Sequence, residues 1–247
     1  MDSTTPAIRR LQRTAAHLAT AAVVAKPTAA TVIHEEELSE VLFTVRDDNV
    51  AVITLNNPAQ LNPMGGDMLQ GFHTALKQVE KPDSGIRCLV ITGAGRAFCS
   101  GANLTAGGAG SGGPPQAFSM HAGQSAAHGL EAQYNPMIAR LRDLRCPVVA
   151  AVNGPCAGVG MSFAMVADIV VANESAFFLQ AFRNIGLVPD GGGTFMLPRL
   201  IGWGRAMELA MMGERCPASK ALAWGLVNEV HPVSPNTTSC QAIPSST

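Results

Sequence analysis

Arg87-Cys88-Leu89-Val90-Ile91-Thr92-Gly93-Ala94-Gly95-Arg96-Ala97-Phe98-Cys99-Ser100-Gly101 is the stretch from which the architecture is read. Cys88 to Thr92 is a short continuous apolar run, the pattern of a strand buried on both faces, and it breaks at once into a glycine-bearing loop. The same sequence of events recurs at Val148-Val149-Ala150-Ala151-Val152, which ends at Asn153-Gly154, and a third run follows at Ile169-Val170-Val171-Ala172. Between Met64 and Val79, the apolar residues Met68, Leu69, Phe72, Leu76 and Val79 fall at helical spacing. Further helices are expected over 133–144, 158–167, 204–212 and 218–224. Upstream, Val41 to Val45 and Val50 to Leu55 flank Asp47-Asp48-Asn49, turn chemistry that predicts an opening hairpin. Strands alternating with helices make an α/β domain, in which ligand loops lie beyond the carboxyl ends of the strands.

A chain of 247 residues with 47% hydrophobic content can bury a sizeable core. Its 17 Lys and Arg against 18 Asp and Glu leave no basic block to track a phosphate backbone, so nucleic acid is not expected as a partner. The six cysteines (Cys88, Cys99, Cys146, Cys156, Cys216, Cys240) have neither a CxxC pair nor metal-ligand spacing and read as buried thiols, with no metal site implied. The longest apolar region, Pro147 to Ala172, is interrupted by Asn153, Gly154, Pro155, Gly158, Gly160 and Asp168. That is core rather than a membrane span. Residues 1–37 form a leader carrying Arg9, Arg10, Arg13 and Lys26; its composition suits a transit peptide, with a mitochondrial or peroxisomal destination, and equally a disordered segment without an address. Thr105 to Pro115 is rich enough in glycine to read as a flexible loop or lid.

The second loop, Asn153-Gly154-Pro155-Cys156-Ala157-Gly158-Val159-Gly160, also follows a buried strand. Glycine lets backbone N–H groups approach a ligand, and a helix starting near Gly158 adds positive partial charge at its N-terminus. From the residues alone the two loops are either tight strand-to-helix turns or an oxyanion site, and the spacing leaves both open. No GxxxxGK[ST] or GxGxxG after a strand supports a nucleotide cradle.

These two loops, together with Gly186-Leu187-Val188-Pro189-Asp190-Gly191-Gly192-Gly193-Thr194, resemble the signatures of the crotonase (enoyl-CoA hydratase/isomerase) superfamily, and the similarity runs from about Val41 to Pro232. It lies nearest the enoyl-CoA isomerase branch, beside the ring-epoxide phenylacetyl-CoA isomerases. The resemblance implies a crotonase-like spiral of repeated ββα units over residues 38–232 and an acyl-CoA thioester as substrate. Coenzyme A enters as part of that substrate, and no separate cofactor is implied. It further implies that the amides of Ala102 and Val159 hold the thioester oxygen, and that Ser100, Ala102 and the Asn57 to Asn62 loop, Asn62 included, border the CoA site.

Hydratases of the superfamily use two glutamates for general acid/base work; alignment puts Ser162 and Phe182 at those places, and neither titrates near neutral pH. Asp190 matches the acid of the isomerases. Its Pro-Asp-Gly setting is also ordinary turn chemistry, but the resemblance favours a single base that shuttles one proton and shifts a double bond. A hydratase, or a non-catalytic acyl-CoA-binding subunit, is the alternative. His121, His128 and Glu131 are weaker candidates: the histidines follow the glycine-rich loop, and the acid begins a helix. Members of the superfamily continue past Gly225 to Val230 into helices that close the acyl pocket and build trimers or hexamers, whereas residues 233–247 are polar without helical period, so that assembly is not expected to form in the usual way.

Overall fold

The computed structural model describes residues 30–103 and 128–232. The expected glycine-rich lid, His121 and the polar tail lie outside them. The described chain is an α/β domain whose main sheet has seven strands in the order β1 (Val32–Leu38), β2 (Val41–Arg46), β3 (Val50–Leu55), β4 (Cys88–Gly93), β5 (Val148–Val152), β7 (Ile169–Asn173) and β10 (Glu229–His231). β1, β2 and β3 pair antiparallel; from β3 to β10 every pairing is parallel. A second sheet holds the short strands β6 (Cys156–Ala157), β8 (Phe177–Leu179) and β9 (Cys216–Pro217).

Six α-helices accompany the sheets among the described residues: α1 (Gly66–Glu80), α2 (Asn135–Asp143), α3 (Val159–Met165), α4 (Gly193–Ile201), α5 (Trp203–Met212) and α6 (Ala218–Trp224). In α1 the helically spaced Met68, Leu69, Phe72, Leu76 and Val79 are all buried. The central strands alternate buried Leu89 and Ile91 with Val148 and Ala150 in register, so their side chains fill the layer between sheet and helices. Helix α3 is buried at every residue and packs Phe163 edge-on against Phe72 of α1, the ring centroids 5.3 Å apart. Truncating that wholly buried ring, Phe72→Ala, is expected to cost about 3–5 kcal/mol, read as a lower urea midpoint with the slope unchanged.

Two boundaries differ from the sequence reading. The leader assigned to residues 1–37 includes all but the last residue of β1, whose Val32 to Leu38 pairs with β2; Glu35, Glu36 and Glu37 disguise it because this edge strand keeps most of its side chains in solvent. The helix expected from Gln133 starts earlier, with a π turn over Leu130–Tyr134 that runs into α2 and is closed by the Asn135 N–H on the Leu130 carbonyl. Pro136 explains the turn: it has no N–H for the carbonyl four residues back and its ring crowds that carbonyl, so the helix opens by one residue.

Candidate active site

The loops after β4 and β5 are stitched to each other along their backbones. The Phe98 and Cys99 amides donate to the Pro155 carbonyl at 3.1 Å, and the Ala157 amide returns a bond to the Cys99 carbonyl at 2.9 Å. The seam ends where Gly101 and Gly158 meet: both have positive φ, +107° and +52°, and a Cβ at Gly101 would stand 3.8 Å from the Gly158 Cα. Two backbones approach this closely because neither carries a side chain there. Ala102 and Val159 are the next residues on either side. Met64 bonds to both neighbours of Ala102, its amide to the Gly101 carbonyl (2.7 Å) and its carbonyl from the Asn103 amide (2.8 Å). In parallel pairing, that turns the Ala102 N–H away from Met64. Val159 opens α3, where the first amides of a helix have no intrahelical acceptor. Neither the Ala102 nor the Val159 amide has an acceptor among the described residues.

Asp190 lies on a turn packed onto the start of α3. A Cβ at Gly191 would come within 2.8 Å of the Ser162 Cβ and 3.5 Å of the Val159 Cγ2. The turn is held through its main chain: the Asp190 carbonyl accepts from the Gly193 amide at 2.8 Å and from the Ser162 hydroxyl at 3.0 Å. The side chain is left free of these ties. Its Oδ1 is buried without a hydrogen-bond partner among the described residues, and burial pushes the carboxyl up from 3.8 to about 6, against a smaller opposing contribution from its own backbone amide. A carboxyl in that range exchanges protons readily near neutral pH. The buried Phe182 ring reaches within 3.9 Å of a Cβ position at Gly158 and walls the site with apolar surface.

The enoyl-CoA hydratase/isomerase family model matches residues 45–239, most of the chain. The chain belongs to that family. It is 41% identical over 193 residues to 1,2-epoxyphenylacetyl-CoA isomerase of Escherichia coli, covering 78% of this chain and 70% of that one. Among solved structures it is similar to an enoyl-CoA hydratase from Mycobacterium avium subsp. paratuberculosis, at 36% identity and a TM-score of 0.66 over 79% of this chain and 70% of the other. An enoyl-CoA hydratase from Bacillus anthracis follows at 29% identity and a TM-score of 0.65, over 83% and 70% of the two chains. The fold is therefore the expected crotonase fold, and the activity is of the enoyl-CoA hydratase/isomerase type. These relatives are bacterial and lend no support to an organellar address for the leader. No helix among the described residues is long and apolar enough to cross a membrane.

Within this crotonase fold, the remaining expected residues divide by where their polar atoms go. Ser100 and Ala102 are exposed at the rim of the two loops. Asn62 is fully buried and spent internally: its Nδ2 reaches the Ala94, Ala97 and Phe98 carbonyls and its Oδ1 accepts the Asn57 amide. It clips the first signature loop in place. Ser162 is likewise a brace for the Asp190 turn. His128 and Glu131 stand exposed at the start of the π turn. Burial pushes the Cys99 thiol up to about 12 and Cys156 well above its usual range, so both are inert core thiols as expected. No metal-binding cluster occurs among the described residues.

Two features escaped the sequence. Tyr134, the chain's one tyrosine, donates its hydroxyl to the Met64 carbonyl at 2.8 Å. An apolar groove of about 520 Å³ runs from Pro189 beside Asp190 along Leu187, Val188, Leu197, Trp203 and Met211. Neither has a local signature, because each is assembled from segments distant in sequence.

Proposed function

We propose that this crotonase is an enoyl-CoA isomerase acting on a medium or branched 2- or 3-enoyl-CoA. Asp190 takes a proton from the carbon next to, or vinylogous to, the thioester; the Ala102 and Val159 amides hold the dienolate oxygen; Asp190 then returns the proton at another carbon. One base serves both halves because the net change is a moved double bond, with no water added. The observation that carries this reading is the single desolvated carboxyl of Asp190 beside two uncommitted amides, with Ser162 and Phe182 where a hydratase would need glutamates. Backbone donors aimed at a developing oxyanion are among the largest contributions an enzyme makes. The exposed rim at Ser100 and Ala102 is the proposed border of the CoA site.

The test is incubation with a 3-enoyl-CoA in D2O, followed by NMR. A 2-enoyl product supports isomerisation, with deuterium on the carbon chain only to the extent that the proton held by Asp190 exchanges with solvent before its return, whereas a 3-hydroxyacyl-CoA would move the assignment to a hydratase and binding without turnover to a non-catalytic acyl-CoA protein. The pH profile has a defined sign. Asp190 must be ionised to accept the proton, and its carboxyl lies at about 6, so kcat/KM should fall as pH drops through that value and level off above it. A profile flat from about pH 5 to 8 would remove Asp190 from the role.

A further inference from the structure

The oxyanion donors proposed above need something to hold the Ala102 loop at a fixed height over Asp190, and the first signature loop alone does not supply it. Ala102 is exposed, and its described attachment to the domain is the pair of bonds through Met64. The Met64 carbonyl in that attachment carries a second bond, from the Tyr134 hydroxyl at 2.8 Å. Tyr134 is the last residue of the π turn, and such turns often mark functional positions in helices. Tyr134 precedes the buried Ile138 and Leu141 at the spacing of one helical face, and its partly buried ring packs against the core.

We infer that Tyr134 is a positioning residue for this reaction: its hydroxyl grips the Met64 carbonyl and thereby fixes the direction of the Ala102 N–H toward the developing oxyanion. This rests on the isomerase reading of the site. The phenol has its one proton committed to Met64, so it offers the substrate no donor and acts through the loop. Burial first, then the Asp190 carboxylate and Cys99, push the phenol up to about 12, so it stays protonated, and the grip persists, throughout the working pH range.

Two measurements on the full chain decide this. The first compares the native chain with Tyr134→Phe, which keeps the ring and removes the hydroxyl. The native chain is expected to shift the absorption of bound cinnamoyl-CoA to the red, because a polarised carbonyl lowers the transition energy; the variant should bind it with affinity within about twofold and show a smaller red shift. With 3-enoyl-CoA the variant's kcat should fall about 5- to 10-fold at unchanged KM, the size of one neutral hydrogen bond. The second uses the lone tyrosine. Biosynthetic 3-fluorotyrosine places one ¹⁹F reporter at position 134, whose resonance should move on addition of cinnamoyl-CoA and titrate near pH 6 in the native chain, losing that titration in Asp190→Asn. This reading stands even if Tyr134→Phe folds poorly. A native red shift and kcat that Tyr134→Phe leaves unchanged, or a ¹⁹F resonance indifferent to both ligand and pH, overturns the positioning role alone. A native chain that neither turns over nor polarises the thioester overturns the isomerase reading, and this inference with it.

Discussion

Asp190→Asn is expected to lower kcat for 3-enoyl-CoA isomerisation by about 10²- to 10⁴-fold, the range that a positioned general base contributes, while acyl-CoA affinity by calorimetry stays within a few-fold of native. The asparagine amide has the carboxyl's shape, and the turn that carries it is held by the main-chain carbonyl of residue 190, which the substitution keeps. The loss would therefore be chemical rather than structural. Stability should move the other way. The carboxyl lies at about 6 in the folded chain against an ordinary 3.8, so the folded state holds the proton more tightly than the unfolded one. The native chain then loses stability as pH rises between those two values and carries the deficit at every higher pH. The variant, having no charge to desolvate, should melt at or above the native temperature near pH 8, with the gap closing below about pH 4. A variant that melts well below native at both pH values would mean that Oδ1 has a partner and that the desolvation argument is wrong.

The second large effect is expected of Val159→Pro, which removes one oxyanion donor and lowers kcat by about 10²- to 10³-fold. Proline is tolerated at the first position of a helix, where the missing N–H has no intrahelical acceptor. The preceding Gly158, at φ 52° and ψ −129°, is the mirror image of the extended region left open before proline, a conformation that glycine can hold. The ring's Cδ also occupies the place of the lost hydrogen, so KM should rise alongside. Val159→Ala is the control: it trims a buried side chain but keeps the amide, and its kcat should remain within about threefold of native while its melting temperature falls. Equal losses in both variants would show that packing at residue 159, rather than its amide, limits the reaction.

The parts of this fold that could be read from the sequence are those in which burial leaves a local mark. β4, β5 and β7 are sandwiched between layers, so each is a continuous apolar run, and α1 shows its core face at helical spacing. β1 left no such mark because an edge strand is stabilised by its ladder to β2 while its side chains face water. Helix α4, Gly193–Ile201, was likewise obscured, by the glycines before it and by Pro198 inside it. At the site, the two loops were visible as glycine-bearing turns, but their meeting at Gly101 and Gly158 is a tertiary fact, and the role proposed for Asp190 came only from resemblance. Asn62 reads as loop punctuation from its neighbouring proline, whereas its work as a clip depends on three carbonyls more than thirty residues away. Tyr134 was invisible for the same reason, since its partner is 70 residues distant.

The seam between the two signature loops has a consequence for how activity fails. The proposed donors follow separate strands, β4 and β5, and the proposed base sits on a turn lodged on the helix beyond β5, so no single element of the fold holds the whole constellation. Turnover then reports the intact domain rather than a local region. Under rising denaturant, enzymatic signal and sheet signal should disappear together, and a chain caught partway through assembly would be silent instead of slow.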